Sequence, residues 1–258
     1  MLSVLNCSLL FQVILATFVH YFYHMQIVYF YREYDPGKEI AIFITGIMIA
    51  SDVEQKLRML AEKYNVIVVE AIQEHYKYIF QEEPITEIIE LYYSLIDLFV
   101  PAGAMVKLIT GMSYGGKLAY LMACRWHDGH GQLPAVLMGD TVITNNPQLC
   151  YAALQGKLDD YIEENNLPRE LFNPSFKERF TIVSQIESRG VTLPVYSGRV
   201  VLVHTTVASV VFPDDNAARW RQNVSHIELV PQPYLHNVIA CDNPETLPLW
   251  QQLFSEDY

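Results

Sequence analysis

Cysteine and clustered metal ligands are scarce in this chain. It has four cysteines in 258 residues, all far apart and none in a C-x-x-C pair. This spacing is not that of a disulfide framework or a zinc site, and it favours a reducing compartment. No His, Cys, Asp and Glu set has metal-ligand spacing, and no phosphate-binding loop motif occurs. We therefore expect no metal ion and a cytoplasmic location.

Basic residues are also few. The chain has 17 Lys and Arg against 29 Asp and Glu, for a formal net charge of -12. This balance disfavours nucleic acid and anionic membrane surfaces as partners. Hydrophobic residues make up 51% of the chain and charged residues 18%, which indicates a globular protein. Its length fits one domain with a sizeable core.

Charge is missing altogether from residues 1–31. About 20 apolar residues span a bilayer, so the stretch from Met1 to Tyr23 could be a membrane anchor. A secretory signal fits less well, because a basic start and a small-residue cleavage site are absent. The third interpretation is an extension of 24 residues before a natural start at Met25, which directly precedes a strand. We favour the extension, and the membrane anchor stays open.

The remaining chain alternates between apolar runs typical of strands and amphipathic runs typical of helices. Strands are predicted at 26–32, 40–45, 66–70, 106–110, 135–139, 199–204 and 226–230. Helices are predicted at 85–100, 114–126 and 247–254, and another starts at 51 and ends at 64–65. The first two strands are expected to form a hairpin around a turn at 35–38. The alternation predicts a mostly parallel central sheet with helices on both faces.

The alternation breaks between residues 145 and 197. This interval contains prolines, acidic runs and helical patches at 148–154, 158–164 and 174–186. It is too long for a plain connection, so it predicts a helical insertion at about 146–196 that acts as a lid over one edge of the sheet. With the lid included, residues 25–258 are expected to form a single domain.

A G-x-S-x-G motif, Gly111-Met112-Ser113-Tyr114-Gly115, joins an apolar strand to a helix. In that setting the sharp turn strains the serine backbone and exposes the hydroxyl at the end of a strand. The Tyr114 amide, in the first helical turn, would face a developing oxyanion. The motif predicts an α/β-hydrolase fold with Ser113 as the nucleophile. The alternative is a glycine-rich turn with an idle serine.

The general base should lie late in the chain, because this fold uses the order Ser, then Asp or Glu, then His. Two late histidines qualify, His226 and His236. His226 starts a strand, which indicates a surface position. His236 follows a loop just past that strand, where a base is expected. We therefore assign the base to His236.

The acid that orients the base has two candidate positions. Asp140 ends the strand that follows the nucleophile helix, and the pair Asp214 and Asp215 follows the next strand. Aspartate is common at turns and helix starts, so each could be structural. That alternative is stronger for the pair, which precedes a helix carrying Trp220. Asp140 is preferred, and the pair stays open.

Residues 111–123 resemble the elbow of the thioesterase domains of nonribosomal peptide and polyketide synthases. The pattern of that family is G-x-S-[FYLM]-G-G-x-x-A-x-x-[ML]-A, and the similarity extends from about Gln26 to Phe254. Asp140, 27 residues after Ser113, matches the acid position of the peptide-synthetase members. His236 matches the late histidine, and the insertion matches the lid.

The sequence departs from this family at the turn after the early buried strand. The family usually has His-Pro and a Gly-rich turn there, whereas this chain has Thr45-Gly46-Ile47-Met48-Ile49. The resemblance implies that the Ile47 amide is the second oxyanion donor. Pro233 and Tyr234 also stand where a glycine often precedes the histidine.

The resemblance implies a two-step acyl transfer in nonribosomal peptide or polyketide biosynthesis, such as that of an antibiotic or siderophore. The acyl group would arrive on the phosphopantetheine arm of an acyl or peptidyl carrier protein, so the enzyme would need no cofactor of its own. We expect a monomer, with Lys117, Arg125 or Arg199 in a basic docking patch. The alternatives are a carboxylesterase or lipase on oxygen esters, a non-catalytic α/β-hydrolase that binds a partner, and an acyl-processing enzyme tethered by residues 1–24.

Overall fold

The computed structural model describes residues 27–70, 72–143, 174–207, 216–224 and 226–258. Within these ranges, seven strands form one sheet: β1 (Val28–Phe30), β2 (Ile40–Ile44), β3 (Asn65–Val69), β4 (Val106–Met112), β5 (Ala135–Gly139), β6 (Val200–Thr205) and β7 (Ile227–Gln232). Their order in the sheet is β1-β3-β2-β4-β5-β6-β7. Every pair is parallel except β1 with β3, so the predicted mostly parallel sheet is confirmed.

The helices that the structure describes follow the strands in the alternation expected. They are α1 (Glu54–Lys63), α2 (Pro84–Phe99), α3 (Tyr114–His130), α4 (Pro174–Glu187), α5 (Asn216–Asn223), α6 (His236–Ala240) and α7 (Leu247–Ser255), with 3-10 turns at Ala50–Val53 and Ile72–Tyr78. Pro84 begins α2, where its missing N–H costs no hydrogen bond. Gly131 ends α3 with a φ of 68°, a conformation that glycine adopts without strain.

The predicted hairpin between the first two strands is wrong. β1 pairs antiparallel with β3, and Val28 lies opposite Val69. The physical reason is that β3 and β4 occupy both edges of β2, so β1 takes the remaining edge of β3. The turn itself is present, since the Lys38 amide donates to the Asp35 carbonyl at 3.0 Å. Apolar composition indicated the strands but not their partners.

The sheet is buried on both faces, which explains why its central strands are continuous apolar runs. All five residues of β2 are buried. Ile40, Ile42 and Ile44 pack into the core on the side of α2 and α3. Ala41 and Phe43 point to the other core, which contains residues of α1 and α7. This two-sided packing fixes the strand ends that carry the candidate site.

Helix α4 confirms the last of the three helical patches predicted in the insertion. Its residues Val183 and Ile186 are buried in the core beside α2 and α3. The patches at 148–154 and 158–164 lie outside the described residues, and so does the N-terminal stretch of residues 1–24. Among the helices in the described ranges, none combines the length and apolar character needed to cross a membrane.

Candidate active site

Ser113 lies at the sharp turn between β4 and α3, as the motif predicts. Its backbone has a φ of 54° and a ψ of -124°. A left-handed φ costs an ordinary residue about 1–2 kcal/mol, so the neighbouring structure must hold it. The Ser113 amide donates to the Gly139 carbonyl at 2.6 Å, and the Ser113 carbonyl accepts from the Gly116 amide at 3.1 Å. These bonds fix the strained residue at the carboxyl end of the sheet.

The glycines around Ser113 allow three backbone segments to meet. A Cβ on Gly115 would lie within 3.0 Å of the Ile44 carbonyl oxygen, a distance that real Cβ atoms do not show. A Cβ on Gly111 would approach Gly115 in the same way, and one on Gly116 would overlap the Thr141 hydroxyl. The G-G after the serine is therefore required by close packing of α3 against the ends of β2 and β5.

Asp140 directly follows β5 and is fully buried. Its Oδ2 lies 2.8 Å from Nδ1 of His236, and its Oδ1 accepts from the Thr205 amide at 2.8 Å. Both carboxylate oxygens are thus engaged. The structure brings Asp140 to His236, as predicted, while Asp214 and Asp215 lie outside the described residues.

His236 is the first residue of α6, and 19% of its side chain is exposed. The loop before it is held from β6, because the Thr205 hydroxyl donates to the Tyr234 carbonyl at 2.6 Å. When Nδ1–H donates to Asp140, the basic lone pair of the imidazole is on Nε2. A carboxylate that fixes one tautomer is the partner that a histidine base requires.

Thr205 is the site residue that the sequence analysis missed. Its amide holds Asp140 and its hydroxyl holds the loop of His236, so one residue joins the candidate acid to the loop of the candidate base. The available signal was its position at the carboxyl end of β6, beside the strand that precedes Asp140. No motif marks such a threonine, because its contacts are with residues distant in sequence.

The two predicted oxyanion donors lie on segments that touch. Gly46 has a φ of 68°, and a Cβ there would overlap the Gly115 amide nitrogen, so the turn before Ile47 packs on the start of α3. Across the described part of the chain, no acceptor is hydrogen-bonded to the amide of Tyr114 or Ile47. The first N–H groups of a helix have no partner within the helix and attract negative charge.

The side chain of Tyr114 points into a buried aromatic cluster. Its ring meets the edge of the His75 ring at a centroid distance of 5.8 Å, and His75 Nε2 is 2.7 Å from the Tyr92 hydroxyl. Burial lowers the pKa of His75 to about 3. Burial, with a smaller effect of the Glu187 charge, raises the pKa of Tyr114 well above its ordinary value. Both side chains are therefore neutral near pH 7, and Tyr114 can serve the site through its amide.

Two further late histidines lie outside the pair of Asp140 and His236. The surface position predicted for His226 is confirmed, because this residue is exposed just before β7. His204 is partly buried on β6, and its Nδ1 can donate to the Thr205 carbonyl at 3.0 Å. Within the described ranges, no three His, Cys, Asp or Glu side chains are grouped so that they could hold a metal ion.

The predicted docking role of Lys117 is wrong. This lysine is buried in α3 and forms an ion pair with Glu187 of α4. The reason is that α3 is packed on most of its surface, including the side that carries Lys117.

The other two basic residues considered for docking are partly exposed, but both form ion pairs. Arg125 is paired with Glu90. Arg199 is paired with Glu228 and Glu256.

Comparison with solved structures relates this geometry to known proteins. The RedJ thioesterase from the prodiginine biosynthetic pathway of Streptomyces coelicolor matches with a TM-score of 0.62 and 15% identity, over 86% of this chain and 92% of that one. The thioesterase domain SrfTE, which cyclises the lipopeptide antibiotic surfactin, matches with a TM-score of 0.60 and 14% identity, over 91% and 98%. The Vlm2 thioesterase domain, bound with a dodecadepsipeptide, matches with a TM-score of 0.59 and 15% identity, over 85% and 94%.

The chain therefore has the α/β-hydrolase fold, which it shares with these thioesterase domains. The resemblance predicted from the elbow motif is confirmed at the level of structure. No family model matches the sequence, and no curated protein matches it. The structural match establishes the shared fold. Because the sequence identities are only 14–15%, the activity of this chain has to be argued from its own residues.

Proposed function

We propose that this protein is a serine thioesterase that releases acyl or peptidyl chains from the phosphopantetheine arm of a carrier protein. The observation that carries the proposal is the hydrogen bond between buried Asp140 and His236. Asp140 follows the end of β5, and the strained Ser113 is hydrogen-bonded to the last residue of that strand. A strained serine, a histidine and an orienting carboxylate in this chain order are the parts of a nucleophilic hydrolase.

In the first step Ser113 Oγ attacks the thioester carbonyl carbon while His236 Nε2 takes the hydroxyl proton. Asp140 holds the imidazole tautomer and stabilises the imidazolium. The amides of Tyr114 and Ile47 donate to the oxyanion. The tetrahedral intermediate then collapses, the C–S bond breaks, and His236 gives its proton to the departing thiol, leaving an acyl ester on Ser113.

In the second step water, or a nucleophile within the acyl chain, attacks the Ser113 ester. His236 takes the proton of that nucleophile and returns it to Ser113 Oγ as the ester bond breaks. The product is a free acid or a cyclic ester or amide. The phosphopantetheine arm belongs to the carrier partner, so the chemistry requires no cofactor held by this chain.

The same three side chains can cleave oxygen esters. The thioester assignment is supported by the G-G after Ser113, by the position of the acid after β5 rather than after β6, and by thioesterase domains being the structural neighbours reported above. A non-catalytic protein of this fold would not need its acid and base joined.

The test is release of acyl groups from short acyl-pantetheine thioesters by wild type, Ser113→Ala, Asp140→Ala and Asp215→Ala. We expect wild type and Asp215→Ala to turn over, and the other two to lose nearly all activity. Collapse of Asp215→Ala with retention by Asp140→Ala would overturn the acid assignment. Turnover of aryl esters without turnover of thioesters would replace the thioesterase with an esterase.

A further inference from the structure

We infer that Arg179 of α4 is a positioning residue that holds the oxyanion-binding turn in its active conformation. The inference rests on the proposed function, because it concerns the Ile47 amide as an oxyanion donor. Arg179 lies on α4, the last helix of the predicted insertion, far in sequence from the turn it contacts. No motif or spacing in the sequence indicated this role.

The contact is direct and buried. Arg179 is 7% exposed, and its Nε donates to the Ile47 carbonyl at 2.7 Å. A second guanidinium nitrogen donates to the Ser175 hydroxyl at 3.0 Å. A guanidinium withdrawn from water is costly, so its burial against a backbone carbonyl requires compensating partners. The charges of Asp52 and Glu70 supply part of that compensation.

The same two carboxylates hold the other side of the turn. Asp52 accepts a hydrogen bond from the Ile49 amide at 3.1 Å, and Glu70 accepts one from the Ala50 amide at 3.1 Å. The backbone after Gly46 is therefore bracketed by three charged side chains, with Arg179 on the carbonyl and the two acids on the amides. Together they form a small ionic cluster around residues 47–50.

This turn needs such support because its own residues do not fix it. Gly46 adopts a left-handed φ and has no side chain to restrict the next peptide. Thr45 is anchored before the glycine, where its amide donates to the Val69 carbonyl at 3.1 Å. After the glycine, and among the described residues, the hydrogen bond to the Ile47 backbone is the one that Arg179 donates to its carbonyl. An oxyanion donor is effective only when it is already oriented before the charge develops.

Arg189 offers a control from the chain just after the same helix. Its guanidinium also donates to a backbone carbonyl, that of Ile79, at 3.2 Å, but this contact is exposed. Ile79 is outside the oxyanion turn, so Arg189→Met removes an arginine-to-carbonyl hydrogen bond without touching Ile47. Arg179→Met removes the tether under study, and Arg179→Lys keeps a cation there but loses the planar group that carries Nε.

The experiment measures kcat and KM on an acyl-pantetheine thioester, together with the affinity for a boronic acid that forms an anionic tetrahedral adduct on serine. For Arg179→Met we expect kcat to fall about 10- to 100-fold, a fraction of the loss seen when a donor itself is removed. KM should stay within about twofold, and boronate affinity should fall in parallel with kcat, since both need the oriented donor. Arg179→Lys should restore part of kcat, and Arg189→Met should resemble wild type.

Unchanged kcat and boronate affinity in Arg179→Met would overturn the inference, and so would an equal loss in Arg189→Met. If Arg179→Met does not fold, Arg179→Lys decides: wild-type kcat and boronate affinity would overturn the inference, and a selective loss of both would support it. A wild-type enzyme inert toward both thioesters and aryl esters would instead remove the proposed function. Failure of the positioning role and failure of the proposed function are thus separated by the wild-type rate.

Discussion

Ser113 and Asp140 are the two non-glycine residues with a left-handed backbone among those the structure describes, and both lie in the candidate site. Their φ angles are 54° and 43°. They follow adjacent strands, and each amide donates to the next strand: Ser113 to Gly139, and Asp140 to Val203, both at 2.6 Å. The strain at both positions is held by the same ladder of backbone hydrogen bonds.

The two positions differ in how their support is encoded. Ser113 lies among glycines within three residues, so its conformation follows from a local motif. Asp140 is held by Thr205 and His236, which are 65 and 96 residues away. The strain at Ser113 can therefore be predicted from a short segment, whereas the matching strain at Asp140 depends on contacts between distant segments.

The largest expected effect is the loss of kcat when the carboxylate of Asp140 is replaced by an amide. Asp140→Asn keeps an acceptor for the Thr205 amide but presents an N–H to His236, which favours the wrong tautomer. We expect kcat on thioesters to fall by about 10³- to 10⁴-fold with little change in melting temperature. The control is Asp242→Asn, because Asp242 caps the start of α1 and should affect stability rather than kcat. Near-wild-type kcat in Asp140→Asn would remove Asp140 from the mechanism.

A smaller loss is expected where the distant support of Asp140 is weakened. Thr205→Val removes the hydroxyl that holds the Tyr234 carbonyl but leaves the backbone amide on Asp140. We expect kcat to fall by about 10-fold, because a small misplacement of the base is costly. Thr206→Val is the matched control, since its exposed hydroxyl also donates to a carbonyl, that of Gln232. Equal kcat values in the two variants would contradict the positioning of His236 by Thr205.

The backbone strain at Ser113 can be measured apart from chemistry. Ser113→Gly and Ser113→Ala both remove the hydroxyl, but only glycine accepts a φ of 54° without strain. We expect the glycine variant to unfold at higher denaturant concentration, with a free energy of unfolding about 1 kcal/mol above that of the alanine variant. A more stable alanine variant would show that the turn is not strained.

The smallest effect is expected at Tyr114, next to Ser113. Among the residues that the structure describes, no hydrogen-bond partner reaches its buried hydroxyl, and its proposed role uses the amide alone. Tyr114→Phe should keep kcat within about twofold and leave the free energy of unfolding unchanged or raised by up to about 1 kcal/mol. A large loss of kcat with intact folding would assign the hydroxyl a function.

The features that could be predicted from the sequence are those set by neighbouring residues, and the features that could not are those set by contacts between distant segments. The elbow, the parallel strands and α4 could be predicted because glycine spacing and apolar periodicity are local signals. The pairing of β1, the burial of Lys117 and the bridging role of Thr205 could not, because each depends on which distant segment lies alongside. Asp140 stands between these cases: its position after β5 made it a candidate, and the contact with His236 comes from the fold.

The central claim is that Ser113 is an activated nucleophile, and intact-protein mass spectrometry after exposure to a fluorophosphonate tests it most directly. We predict one phosphonyl adduct on the wild type, mapped to Ser113 by peptide sequencing, slow labelling of Asp140→Asn and none of Ser113→Ala. Absence of an adduct on folded wild-type protein, or an adduct that persists in Ser113→Ala, would contradict the account.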